Sequence, residues 1–317
     1  MHTAAIIPCY RSSQTVINVI EQCLKYVDLI VCVDDSCPEM TGNIIEKLFN
    51  DNPKVVLVRH KRNLGVGGAI KTGVQYLKNL DVEIYVKIDS DAQMDPLQIP
   101  NLILPIVEGK ALVCKGNRFR NAEIIKLMPL TRLIGNAGLS FITKLSTGYW
   151  ELFDPTNGFI ALSRKAINRI EINKTDNRYF FETDLLLRCS LSNIKIQEVP
   201  MKAIYQGEVS SLKPHIEFFR FSFKHFLIFI KRVGYQYFLL EINPGSLELC
   251  GGAFCGGIAF LIGLRSIIIG WQTGLETPAG TQTLFLAMLI ISLQLTLGFI
   301  YYDSTFRPLM REIKSKE

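Results

Sequence analysis

The first third of the chain alternates short, unbroken apolar runs with stretches of helical period. Strands are expected at Ala4 to Pro8, Leu29 to Val33, Val55 to Val58 and Val82 to Ile88. Helices are expected at Ser13 to Tyr26, Thr41 to Asn50 and Val66 to Leu80. Continuous apolar strands interleaved with helices predict an α/β fold, a mostly parallel sheet covered on both faces. Polar residues gather after the strands, at the edge where open α/β sheets bind ligands. Residues 116–212 are less regular, with a turn at Asp154 to Gly158 and a strand at Ile194 to Met201. They read as a second half of the same domain.

Beyond that domain the pattern changes. From His215 to Leu240 phenylalanines alternate with Arg220, Lys224, Lys231 and Arg232, a mixture that suits helices lying on a membrane surface or packed on the protein. Leu249 to Trp271 then carries one charge, Arg265, and Leu284 to Tyr302 carries none. Each run is long enough to cross a hydrocarbon core of about 30 Å. Arg265 lies close enough to the Trp271 end to snorkel toward the interface. The expected layout is 1–212 for the α/β domain, 213–245 for juxtamembrane helices, 246–303 for a transmembrane hairpin and 304–317 for a basic tail. Lysines and arginines flank both runs, whereas Gln272 to Thr283 between them holds only Glu276. The positive-inside rule then predicts a cytoplasmic α/β domain and cytoplasmic termini.

Composition agrees. The 317 residues are 48% hydrophobic, and the mean hydropathy is +0.22. The net charge of +6 reads as a membrane-facing surplus rather than a nucleic-acid footprint. Eight cysteines sit largely in apolar runs without a Cys-x-x-Cys, as expected for reduced core residues. The chain opens directly on a strand, so no cleavable signal peptide is expected.

The candidate chemistry lies at the strand ends. Asp89 and Asp91 follow an apolar run, and strand alternation would turn both to one side. Two convergent carboxylates suit Mg²⁺ or Mn²⁺, which reach proteins through one or two carboxylates plus substrate phosphates. Pro8 and Tyr10 end the first strand, where a rigid turn and a ring could wall a nucleobase. Asp35 ends the second and can accept hydrogen bonds from base or ribose, unless Asp34-Asp35-Ser36 is only a turn and cap. Gly65, Gly67 and Gly68 precede a helix, either to admit a ligand to the backbone or for close packing. Glu182 and Asp184 stand in an apolar context, as paired carboxylates for acid–base work or as first-turn acids of a helix.

In this order and spacing, the segments Ile6 to Tyr10, Val33 to Pro38, Asn63 to Gly68 with Gly73, Asp89 to Asp91, Arg118, Asp154 to Phe159 and Phe181 to Asp184 resemble the inverting glycosyltransferases of family 2. Within that family the chain is most similar to membrane-anchored polyprenyl-phosphate sugar synthases of the dolichyl-phosphate-mannose-synthase type. The resemblance covers roughly residues 4–212 and implies a GT-A fold, Rossmann-like, with a nucleotide-sugar donor and a polyprenyl-phosphate acceptor. It implies nucleotide-sugar contacts from Pro8, Tyr10, Val33, Asp35, Asp89, Ser90 and Asp91. Gln93 joins Asp89 and Asp91 as an implied metal ligand, and Asp184, Glu182 and Asp91 are the implied catalytic residues. The acceptor phosphate would be clamped by Arg118, with Arg132 and Lys202 as looser matches. Look-alikes with such a tail often self-associate, so a homo-oligomer is a further implication.

Two departures stand out. Arg11-Ser12-Ser13 replaces the acidic residue usual after Tyr10, and residues 202–213 lack the family's arginine. The Gln-x-x-Arg-Trp of processive polysaccharide synthases is also missing. Two rival readings are a membrane transferase acting on a hydroxyl, with Asp184 as base, and a non-enzymatic nucleotide-sugar-binding scaffold.

Overall fold

The computed structural model describes residues 1–119, 130–201 and 214–314. Its sheet is built from β1 (Thr3–Cys9), β2 (Leu29–Asp34), β3 (Val55–Arg59), β4 (Ile84–Lys87), β5 (Val113–Asn117), β6 (Ile160–Ser163) and β7 (Ile196–Pro200). The spatial order is β3-β2-β1-β4-β6-β5-β7. Every neighbouring pair is parallel except those made by β6, which runs antiparallel to β4 and β5. The expected mostly parallel α/β sheet is therefore present.

Strand periodicity sorts the core into two layers. On one face Ala4 and Ile6 of β1 meet Ala69, Ile70 and Val74 of α3 (Val66–Lys78) and Leu185 of α7 (Phe181–Leu191). On the other, Ala5, Ile7 and Cys9 meet Val16 and Ile20 of α1 (Val16–Cys23) and Leu102 of α4 (Ile99–Val107). Gly73 of α3 allows the closest approach, since a Cβ there would lie 2.5 Å from the Ile6 side chain. The remaining helices of this part are α2 (Thr41–Phe49), α5 (Leu130–Thr147) and α6 (Arg164–Arg169).

Two expected boundaries move. Helix α1 starts at Val16 because the Ser12 carbonyl first accepts from Thr15 and Val16 in a turn. Strand β4 ends at Lys87, and Asp89 leads into a turn at Ser90 and Asp91, so none of the three is on a strand. Ser90 Oγ donates to the Pro8 carbonyl at 2.8 Å, and Thr15 Oγ1 donates to the Ser90 carbonyl at 2.6 Å. These bonds fasten the turn to the end of β1.

The chain divides into two compact units, Met1–Ile230 with the residues from Arg311 on, and Lys231–Met310. In the first unit, α8 (Pro214–Val233) packs Phe221 and Ile228 against Phe180 and Leu187. His225 shares a 2.8 Å hydrogen bond with Ser146 Oγ, and its ring meets the edge of Phe180. Phe223, Phe226, Leu227 and Ile230 of the same helix remain exposed. Arg311, counted among the flanking charges, is buried: it donates to the Gly148 carbonyl at 2.8 Å, to Ser190 Oγ at 3.1 Å and to Glu151 at 3.1 Å. Its guanidinium also stacks over the Tyr149 ring.

The second unit contains α9 (Pro244–Thr273) and the part of α10 (Ala279–Lys314) up to Met310. Both helices are long and apolar enough to cross a membrane, and only 11% and 6% of their most apolar stretches are buried, unlike core helices. Asn243 opens α9 with a capping box and Pro244 follows it. Arg232 is likewise not a free flanking charge. It forms a fully buried bidentate pair with Asp303 at 2.7 and 3.0 Å, and Tyr237 Oη donates to the same carboxylate. A buried pair of this kind is retained when both partners are fully hydrogen-bonded.

Burial lowers the His225 pKa from 6.5 to about 4. Between those values the unfolded chain binds a proton that the folded chain refuses, so stability is full above pH 6.5 and declines as pH falls toward 4. Up to about 1.4 kcal/mol should be lost per pH unit in that window. His225→Gln should flatten this part of the profile, measured as Tm against pH in detergent.

Candidate active site

A cleft of about 480 Å³ opens where β1, β2 and β4 end, between these strand ends and the start of α7. It brings together Pro8, Tyr10, Asp35, Asp89, Ser90, Asp91 and Glu182. Tyr10 is 43% exposed, with its ring available to a ligand and Arg11 over one face.

Asp35 is buried and held by three neighbouring groups. His60 Nδ1 lies 2.7 Å from Oδ1, Leu64 N donates to Oδ1 at 2.8 Å, and Gly65 N donates to Oδ2 at 2.7 Å. The carboxylate thus fastens the glycine loop to the end of β2 while lining the cleft. Asp34 beside it caps a turn by accepting from Cys37 N. The two adjacent acids divide the roles between turn and cleft.

Gly65 begins α3 at φ +89°. A Cβ at Gly65 would lie 2.5 Å from the Asn177 carbonyl, and one at Gly67 would lie 2.2 Å from the Asp176 carbonyl. Close packing is thus the observed use of these two glycines, against residues 176–178. That packing holds Arg178 and Tyr179 at the cleft wall.

At the floor, Asp89 and Asp91 both line the cleft although neither stands on a strand. Asp91 Oδ1 accepts from the Gln93 backbone N at 3.0 Å. Gln93 itself is exposed and off the cleft lining, because the turn, with Ala92 at φ +62°, breaks the strand alternation that would have aligned it. Among the described residues, no group of three or more His, Cys, Asp or Glu side chains could hold a metal.

Lys87, buried at the end of β4, donates to Asp89 Oδ1 at 2.8 Å and lies 3.1 Å from Glu182 Oε1. Burial alone would lower its pKa, but the two carboxylates outweigh burial and hold the ammonium above its ordinary value. Lys115 sits two strands away, since both lysines pair in register with Ile160. Its ammonium donates to the Asn157 carbonyl. Burial lowers its pKa to about 8, against the opposing pull of Asp154 and Glu182.

Other expected site residues fall elsewhere. Val33 is fully buried in the core, so its side chain does not reach the cleft. Asp184 points away from the cleft lining and lies 3.5 Å from Arg188, one turn along α7. A helix separates positions i and i+2 by roughly 200°, which is why Glu182 and Asp184 part company. Arg118 forms a fork with the buried Asp154, at 2.8 and 3.0 Å, and does not line the cleft. Arg132 falls in α5 with its side chain outside the described residues, and Lys202 lies outside them altogether. Sequence reasoning missed Lys87, Arg178 and Tyr179. A lysine inside an apolar strand was the one available signal, at Lys87.

Comparison with known proteins agrees with this geometry. The family described as Glycosyl transferase family 2 matches residues 4–171, just over half of the chain. The chain belongs to that family and is a glycosyltransferase of GT-A type. A UDP-N-acetylglucosamine–dolichyl-phosphate N-acetylglucosaminyltransferase of Methanococcus voltae is 34% identical over 213 residues, covering 63% of this chain and 84% of the relative. A polyprenol monophosphomannose synthase of Mycolicibacterium smegmatis is 25% identical over 204 residues, covering 63% and 76%. An undecaprenyl-phosphate mannosyltransferase of Micrococcus luteus is 25% identical over 205 residues, covering 63% and 83%.

Gly67→Ala tests the packing of the loop. Helix propensity would favour alanine by about 1 kcal/mol. The 2.2 Å approach to the Asp176 carbonyl must be relieved by moving backbone, which costs about 1–3 kcal/mol. The expected result is a lower Tm with faster hydrogen exchange at residues 176–182, measured by mass spectrometry.

Proposed function

We propose that this glycosyltransferase moves a hexose-type sugar from a nucleoside-diphosphate donor to a polyprenyl phosphate at the cytoplasmic membrane face, with inversion. The observation that carries the reading is the convergence of Pro8, Tyr10, Asp35, Asp89, Ser90 and Asp91 on one cleft at the strand ends. Tyr10 and Pro8 would wall the base, and Asp35 would meet base or ribose with the lone pairs its loop leaves open.

A divalent cation, Mg²⁺ or Mn²⁺, fits this cleft. Asp89 and Asp91 supply two hard oxygen donors on one wall, a donor set that suits an ion also bound by substrate phosphates. When bound, the ion would neutralise charge on the departing nucleoside diphosphate. Gln93 would need to turn inward to join it.

The acceptor side favours a group that is already ionised. Glu182 faces the cleft but its charge is held by Lys87, and Asp184 lies off the cleft beside Arg188. Neither is placed as the general base a hydroxyl acceptor requires. A phosphate needs no base, so the chain's work is to orient it for in-line attack. Arg178, exposed on the cleft wall, is positioned to receive phosphate oxygens, a place Arg118 leaves by pairing with Asp154. Arg132 and Lys202 remain proposed partners of the lipid phosphate.

The two apolar helices would form a membrane hairpin, which suits an acceptor that stays in the bilayer. Arg311, near the C-terminal end of α10, belongs to the same compact unit as the cleft. This supports an even number of crossings, with both flanks on the catalytic side.

Detergent-purified protein should convert polyprenyl phosphate and one of a panel of UDP-, GDP- and dTDP-sugars to a glycolipid seen by mass spectrometry. Asp91→Asn should reduce the metal-dependent rate by about 100-fold or more. Transfer to hydroxyl acceptors only would overturn the phosphate reading.

A further inference from the structure

Lys87 does not itself line the cleft, yet it is bonded to Asp89 and paired with Glu182, which do. Strand register sets it between Ile6 of β1 and Ile160 of β6, and it is 2% exposed. Its ammonium reaches Asp89 Oδ1 at 2.8 Å and lies 3.1 Å from Glu182 Oε1. One cation therefore joins a carboxylate of the β4 turn to a carboxylate of α7. The fold keeps room for it at Gly158, where a Cβ would lie 2.5 Å from Lys87 Nζ and 2.9 Å from Asp89 Oδ2.

We propose that Lys87 is a positioning residue that turns Asp89 and Glu182 toward one point and competes, as a built-in cation, with the divalent ion for Asp89. The proposal rests on the reading of Asp89 and Asp91 as the metal-holding pair.

The physical case is direct. A divalent ion approaching Asp89 meets a fixed positive charge already bonded to one of its oxygens, and repulsion between like charges is strong where water is excluded. Without donor, the cleft should bind metal weakly. A nucleoside diphosphate brings the extra negative charge that tips the balance, so metal and donor should bind cooperatively. Glu182 acts through the lysine: by sharing the ammonium it weakens the hold on Asp89. Lys87 thereby couples the acceptor-facing wall to the donor-facing one.

The test is Mn²⁺ binding to the full-length protein in detergent, followed by electron paramagnetic resonance without nucleotide. Lys87→Gln should tighten Mn²⁺ binding by about fivefold or more. Glu182→Gln should weaken it, because Lys87 then belongs to Asp89 alone. In the Lys87→Gln background, Glu182→Gln should have no further effect, closing a double-mutant cycle with a clear coupling term. An unchanged or weaker Mn²⁺ affinity in Lys87→Gln overturns the proposal. Equal weakening by Glu182→Gln in both backgrounds also overturns it, since Glu182 would then be a direct ligand. Should Lys87→Gln not fold, Glu182→Gln keeps the side-chain volume and decides alone, an unchanged affinity counting against the proposal. Asp89→Asn separates the two ideas: if it leaves Mn²⁺ binding intact in the wild-type and Lys87→Gln backgrounds, the metal-pair reading itself fails.

Discussion

The central strands β1, β2, β4, β5 and β6 are buried on both faces, so their polar neighbours reach solvent where those strands end. That constraint governs the molecule. Ala4 to Cys9 are buried without exception, and β2 is nearly so. The first polar positions after them, Tyr10, Asp35, Asp89 and Asp91, therefore share one edge. The cleft is a consequence of covering the sheet rather than an addition to it. Lys87 and Lys115 break the rule, and each is retained by a polar partner held in place by its surroundings.

The segment from Asp176 to Glu182 is gripped from two directions. On one side the glycine loop packs against its backbone, with Gly68 N donating to the Asn177 carbonyl at 3.0 Å. On the other, α8 holds it through Lys224 with Asp176 and through Phe221 and His225 with Phe180. Lys71 adds a bond to the Thr175 carbonyl at 2.9 Å. The cleft wall carrying Arg178 and Tyr179 is thus fixed by the sheet domain and by the helix that leads toward the apolar hairpin.

Much of this was legible in the sequence, for identifiable reasons. Unbroken apolar runs announce buried parallel strands, and each expected strand in the first half appears within a residue or two of its place. Asp89 and Asp91 both line the cleft, but not through strand alternation. A turn delivers them to the cleft, and the same turn sends Gln93 outward. What escaped was whatever depends on distant partners. Arg118 is committed to Asp154, 36 positions later, and no local pattern reveals that fork. Arg232 and Arg311 read as flanking charges because their partners, Asp303 and Glu151, are also remote. Glu182 and Asp184 could be ranked only once their segment was known to be helical rather than extended.

The burial of Arg311 carries a consequence for the order in which the protein can be made. A ribosome releases the sheet, the cleft, α9 and most of α10 before this side chain emerges. Until it does, the Gly148 carbonyl and Ser190 lack their guanidinium donor and the Tyr149 face lacks its cover. The catalytic unit thus reaches its final packing only after the hairpin has left the ribosome. Final packing of the enzyme is in this way tied to synthesis of the apolar helices.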